Sequence, residues 1–217
     1  MFSFFGKPWY VRLLLFSMFF ACCFLALFFL CQGQSRPVMI DQWVMDLFRI
    51  FSWNWAEHVS RFFSALGGEL IWLWIAAVAV VLFAVQKKRE LTLYFLSSNI
   101  AVATLTVVFK FFGFRARPLD DSYLAHQYSF PSGHTACTIV FFGLLIWLVP
   151  VLIKNRFWQV VVRVGSVVAM AMVPFSRIHL QWHYPTDVIG GFCLGMAVLM
   201  GMIFVYRVFS KGDTLNA

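Results

Sequence analysis

Ser176-Arg-Ile-His-Leu-Gln-Trp-His-Tyr-Pro-Thr-Asp187 lies between two long apolar runs and carries Arg177, His179, His183 and Asp187. Ionisable side chains beside hydrocarbon are expensive, so such a cluster marks a site of function. Pro185 lacks an amide hydrogen and fits best in the first turn of a helix, which predicts that the last apolar run starts there. His183 then sits at the helix mouth, with Asp187 in the first turn able to reach back to it. Arg177, at the end of the preceding run, supplies a fixed positive charge. A nucleophilic base, an acid to orient it and a clamp for an anion are all present, and together they point to phosphate chemistry.

The rest of the chain fits a membrane setting for that cluster. Of 217 residues, 62% are hydrophobic and only 12% charged, with a mean hydropathy of +0.82. A soluble domain would carry about 25% charged residues. The net charge of +8 comes from Lys and Arg in short clusters between apolar runs. That pattern fits orientation signals, and with no basic face it argues against nucleic acid as a partner. Cys22, Cys23, Cys31, Cys137 and Cys193 lie within apolar runs without metal-ligand spacing, and read as small buried thiols.

Six spans are expected. Leu13 to Cys31 keeps bulky Phe28, Phe29 and Leu30 to its end, unlike a signal peptide, whose apolar core is about 7–15 residues long. Further runs cover about Leu70 to Val85, Leu91 to Phe112, Gly133 to Ile153, Val160 to Phe175 and Asp187 to Val208. The run at 70–85 is short for a hydrocarbon core of about 30 Å and must borrow from its flanks. Between the first two spans, Trp43, Leu47, Ile50 and Phe51 share one helical face, with Asp41, Asp46 and Arg49 elsewhere. Val59, Phe62, Phe63 and Leu66 repeat the pattern, and Asn54 with Glu57 has the spacing of a capping box. These are expected to be short interfacial helices that pack on the bundle or gate lipid entry. The polar Ser97, Asn99 and Thr104 are expected to bond neighbouring helices. The fold class is therefore all-α, a polytopic membrane protein of one domain over residues 1–217.

An even number of spans puts both termini on one side. That side receives ten of the 17 Lys and Arg residues, which makes it cytoplasmic. The loops at 113–132 and 176–186 then face outward.

Two further stretches bring polar chemistry to that outer side. Lys110-Phe-Phe-Gly-Phe-Arg-Ala-Arg117-Pro118 ends a helix with cations, a planar fork and a point charge that can share one anion. Pro131-Ser132-Gly133-His134 precedes an apolar run. Ser132 is a good N-cap, Gly133 lets backbone amides approach a ligand, and a helix N-terminus attracts anions. His134 adds a titratable proton.

Together these read Lys110…Arg117-Pro118, Pro131-Ser132-Gly133-His134 and Ser176-Arg177…His183…Asp187. The set resembles the signature of the type 2 phosphatidate phosphatase superfamily, the lipid phosphate phosphatases: K-x6-R-P, P-S-G-H and S-R-x5-H-x3-D. The likeness spans 110–187 without a departure, and the layout resembles the bacterial integral-membrane branch.

That resemblance implies a hydrolase of the cytoplasmic (inner) membrane whose site faces the periplasm or cell exterior. His183 would attack phosphorus and carry a phosphohistidine, with Asp187 holding its tautomer. His134 would protonate the leaving oxygen. Lys110, Arg117, Arg177, Ser132 and Gly133 would bind the non-bridging oxygens. No cofactor or metal is implied, although His134, His179, His183 and Asp187 could serve as ligands; three nearby cations would repel a divalent ion. His179 falls outside the pattern and reads as structural, and His126, Asp120 and Asp121 as solvated loop residues.

The substrate would be a membrane lipid phosphate, with undecaprenyl diphosphate or phosphatidylglycerophosphate favoured over phosphatidate or a lipid A phosphate. Two alternatives stay open. One is a lipid-to-lipid phosphotransferase using the same histidine. The other is a non-catalytic lipid-binding or transport protein, against which the complete set of His134, His183 and Asp187 argues.

Overall fold

A computed structural model describes residues 8–32, 38–50, 54–85, 87–118 and 128–209. Among them the secondary structure is helical: α1 (Pro8–Cys31), α2 (Met39–Ile50), α3 (Asn54–Gly67), α4 (Glu69–Val80), α5 (Arg89–Gly113), α6 (Gly133–Leu152), α7 (Arg156–His179) and α8 (Pro185–Phe209). Helix α4 runs on as a π-helical turn over Val81–Val85. His126, Asp120 and Asp121 lie outside the described residues.

Five helices, α1, α5, α6, α7 and α8, are long and apolar enough to cross a bilayer. The run expected at 70–85 does not reach that length alone. It completes a sixth span only jointly with α3, from which it is bent by 45°. Thus α3 is the flank from which the short run borrows, and Gly67-Gly68 is the break between them. The chain is a multi-span membrane protein.

Polarity is turned inside out where α2 and α3 meet the bundle. Trp43 is 68% exposed, with Met39, Ile40 and Leu47 also outward, whereas Asp41 and Met45 are buried. On α3, Trp55 and Phe62 face out while Ser60, Ser64 and Gly67 are inside. In water such faces would be reversed; lipid accepts the apolar side, and the polar side finds partners in the protein. Asn54 does start its helix, but Glu57 reaches forward to Arg61, 2.7 Å away, instead of back to a cap.

The core is aromatic and closely packed. Phe24, Phe28, Phe109 and Phe130 form a cluster joining α1, α5 and the entry to α6, with ring centroids 4.6 Å apart for Phe24 and Phe109. Helix α1 packs mainly on α8, and α6 lies between α7 and α8. Close approach of α8 to the start of α6 depends on Gly191, where a β-carbon would stand 2.4 Å from the Ser132 carbonyl oxygen. That contact brings the second and third motifs together. Ser97 and Asn99 do not bond neighbouring helices as expected; they donate to Tyr94 and Phe95 carbonyls of their own helix, at 3.2 and 2.8 Å. Short polar side chains in a spanning helix reach back to the preceding turn, the nearest acceptor available.

Candidate active site

Three chain reversals build the site. Helix α5 ends at Gly113, and Phe114 takes a left-handed conformation (φ 50°) that turns the chain inward. Arg115 is thereby buried, and its carbonyl accepts the Ser129 amide at 2.8 Å, pairing the exit of α5 with the entry to α6. Between α7 and α8, the Arg177 carbonyl accepts the amides of Trp182 and His183 at 3.0 and 3.2 Å, which folds the loop back over Arg177. Helix α8 starts at Pro185, as its lack of an amide predicts. The amide of Ser132 donates to the Asp187 carbonyl at 3.0 Å, fixing the start of α6 against the first turn of α8.

These reversals surround a cavity of about 570 Å³. Lys110, Arg117, Gly133, His134, Arg177 and His183 line it, with Gly67, Gly68, Ile71, Trp72, Cys137 and Trp182. Six of the eight residues singled out in the sequence thus share one space. Asp187 and Ser132 lie behind its wall, both fully buried. Ser132 is at the N-cap position, but its hydroxyl accepts from Thr135 Oγ1 at 3.0 Å and makes no side-chain cap. His179 stays outside, stacked on Phe175 at 5.9 Å.

His183 is 2% exposed. Its Nδ1 is 3.4 Å from Ser129 Oγ and 3.5 Å from Asp187 Oδ2, which leaves Nε2 for the cavity. Burial, followed by the charges of Lys110, Arg177 and Arg117, pushes its pKa well below the ordinary value of 6.5, and a backbone bond at Ser129 only partly opposes this. The ring is therefore a neutral base in the resting protein. Burial also lowers Arg117, with Asp187 acting against it.

The cations are held by neighbours. Lys110 Nζ donates to the Tyr128 carbonyl. Arg177 Nη1 donates to Ser64 Oγ of α3 at 2.5 Å, and its guanidinium lies 4.4 Å over the Trp182 ring. Three positive side chains facing one space, with few carboxylates, make a site for an anion of high charge.

Behind His183 is a network that sequence reading missed. Asp187 accepts from Ser129 Oγ, from the Tyr184 amide at 2.8 Å and from Arg115 Nη1 at 2.6 Å. Arg115 Nη2 also meets Asp41 Oδ2 at 2.6 Å, and Nη1 donates to Thr186 Oγ1 at 2.7 Å. Asp41 in turn accepts from the Thr186 amide and hydroxyl at 2.9 and 2.8 Å. Burial lowers the Arg115 pKa, but Asp187, then Cys31 and Asp41, more than offset that and raise it. Two signals were present. Asp41 has no basic residue within four positions on its helix, and Arg115 stands two residues before Arg117.

Comparison with known proteins gives the family and the fold. The family model described as PAP2 superfamily matches residues 91–211. An undecaprenyl-diphosphatase of Sulfolobus acidocaldarius is 26% identical over 161 residues, which is 70% of this chain and 72% of that protein. Phosphatidylglycerophosphatase B of Bacillus subtilis is 40% identical over 90 residues, covering 38% of this chain and 41% of its own length. The crystal structure of a transmembrane PAP2 type phosphatidylglycerolphosphate phosphatase from Bacillus subtilis superposes with a TM-score of 0.77 over 90% of this chain and 98% of that one, at 24% identity. It shares the fold.

Proposed function

The chain belongs to the PAP2 superfamily, and we propose that it is an integral-membrane phosphatase, one domain over 1–217, that hydrolyses the terminal phosphate of a lipid phosphate or diphosphate. The observation that carries this reading is the single cavity shared by His134, His183, Lys110, Arg117 and Arg177.

In that cavity the three cations and the Gly133 amide hold the phosphoryl oxygens, with Ser132 fixing the turn beneath them. Nε2 of His183 bonds to phosphorus while the bond to the lipid oxygen breaks. His134 gives that oxygen its proton. Water then attacks phosphorus, the N–P bond breaks, His134 takes the water's proton and inorganic phosphate leaves. Asp187 holds Nδ1–H through both steps and offsets the positive charge on the phosphorylated ring. The three cations supply the charge stabilisation that a metal would otherwise give.

The relatives' names support undecaprenyl diphosphate and phosphatidylglycerophosphate as the substrates. We place the protein in a bacterial cytoplasmic membrane, with both termini cytoplasmic and the site facing the periplasm or cell exterior, from the Lys and Arg bias. Purified protein is expected to release phosphate from one of these lipids in buffer containing a chelator, and His183→Ala to abolish release. Turnover unchanged by that substitution refutes the assignment. A carboxy-terminal reporter that is active only in the cytoplasm checks the orientation.

A further inference from the structure

The network behind His183 does more than fill space. We propose that Asp41 and Arg115 are positioning residues: Arg115 spans Asp41 and Asp187, and Asp41 keeps a net negative charge behind the histidine. This rests on the proposed role of His183 as nucleophile. Asp41, Arg115 and Asp187 are each 0% exposed, and the guanidinium is 2.6 Å from both carboxylates. A planar fork can serve two acids at once, which a lysine cannot do in the same geometry.

Charge explains why the second acid is there. With Arg115 and Asp187 alone, the guanidinium would cancel the carboxylate, and His183 would face a neutral pair. Asp41 shares the guanidinium, so two carboxylates against one cation leave a net charge of −1 on the network, whose Asp187 Oδ2 is 3.5 Å from Nδ1. That is the charge needed to favour Nδ1–H and to oppose the cations Lys110, Arg117 and Arg177 across the ring. The Tyr184 ring lies 4.5 Å from the guanidinium and Cys31 Sγ is 3.5 Å from Nη1, and both residues are buried. Asp41 does not line the cavity; among the described residues its carboxylate bonds to Arg115 and Thr186. It also links α2, whose other face is turned outward, to the first turn of α8.

Asp41→Asn tests this with two readouts in detergent-solubilised full-length protein. The first is a kinetic split. We expect kcat on a lipid phosphate to fall at least tenfold, with KM and the inhibition constant of inorganic phosphate within threefold of wild type. A kcat within twofold of wild type, or loss of phosphate inhibition along with kcat, overturns the proposal. The second needs no turnover: ring ¹⁵N shifts, assigned with His183→Gln, should show His183 as the Nδ1–H tautomer in wild type and as a mixture in Asp41→Asn. Identical tautomers overturn it. A wild type that releases no phosphate contradicts the proposed activity and leaves the ring measurement to decide the role of Asp41.

Discussion

A β-carbon on Gly68 would stand 2.8 Å from Nε2 of His134 and 3.1 Å from the Ser64 carbonyl oxygen. The break between α3 and α4 therefore sets the room in which His134 works. Gly68→Ala should push that imidazole from its place and lower kcat/KM at least tenfold, and Gly68→Val should lower it further. Steady-state assays of the two variants check this; wild-type rates in both would show that His134 has space to spare.

Arg117 lines the cavity with Lys110 and Arg177. Removing one preorganised donor from a transition-state oxyanion costs roughly 10²–10³ in rate. Arg117→Ala is accordingly expected to lose about a hundredfold in kcat/KM. Arg117→Lys should recover only part of this, since an ammonium lacks the fork. Phosphate-release kinetics of the three proteins give the comparison.

Arg115 is bonded to two buried carboxylates. Breaking a buried ion pair by removing one partner costs about 3–5 kcal/mol. Arg115→Ala leaves both acids uncompensated and should lower the thermal-unfolding midpoint far more than Arg61→Ala, which breaks an exposed pair with Glu57. Differential scanning fluorimetry in one detergent ranks the two.

His183 gives stability a pH dependence of known sign. Its folded pKa lies well below 6.5, so as pH falls below 6.5 the unfolded chain takes up a proton that the folded one refuses. Stability is then lost with falling pH, by at most about 1.4 kcal/mol per unit for this one group. The unfolding midpoint of wild type should drop more steeply between pH 6.5 and 5 than that of His183→Gln. Parallel slopes would mean that the ring is not held neutral.

Much of the site was legible because its chemistry needs scarce residue types. In a chain so poor in charge, Lys110, Arg117, His134, Arg177, His183 and Asp187 stand out, and Pro185 marks where the last helix begins. Asp41 and Arg115 were hidden for separate reasons. Asp41 does lie off the apolar face of α2, but a local pattern reads that side as solvated, and the partners that hold the acid inside, Arg115 and Thr186, are more than 70 residues away in the chain. Nothing in the local sequence gives Arg115 a different role from Arg117; the left-handed turn at Phe114 does. The bent α3–α4 pair was blurred because Gly67-Gly68 reads as a boundary between elements, while the structure uses it as a bend.

The proposed activity requires His183 to bond to phosphorus inside this cavity. Wild-type protein mixed with a lipid phosphate, quenched within one turnover and digested under alkaline conditions that preserve phosphohistidine, should yield a peptide carrying one phosphoryl group on His183. His183→Gln should yield none and release no phosphate. A wild type that turns over with its phosphoryl group on another residue, or a His183→Gln protein that still turns over, would contradict it.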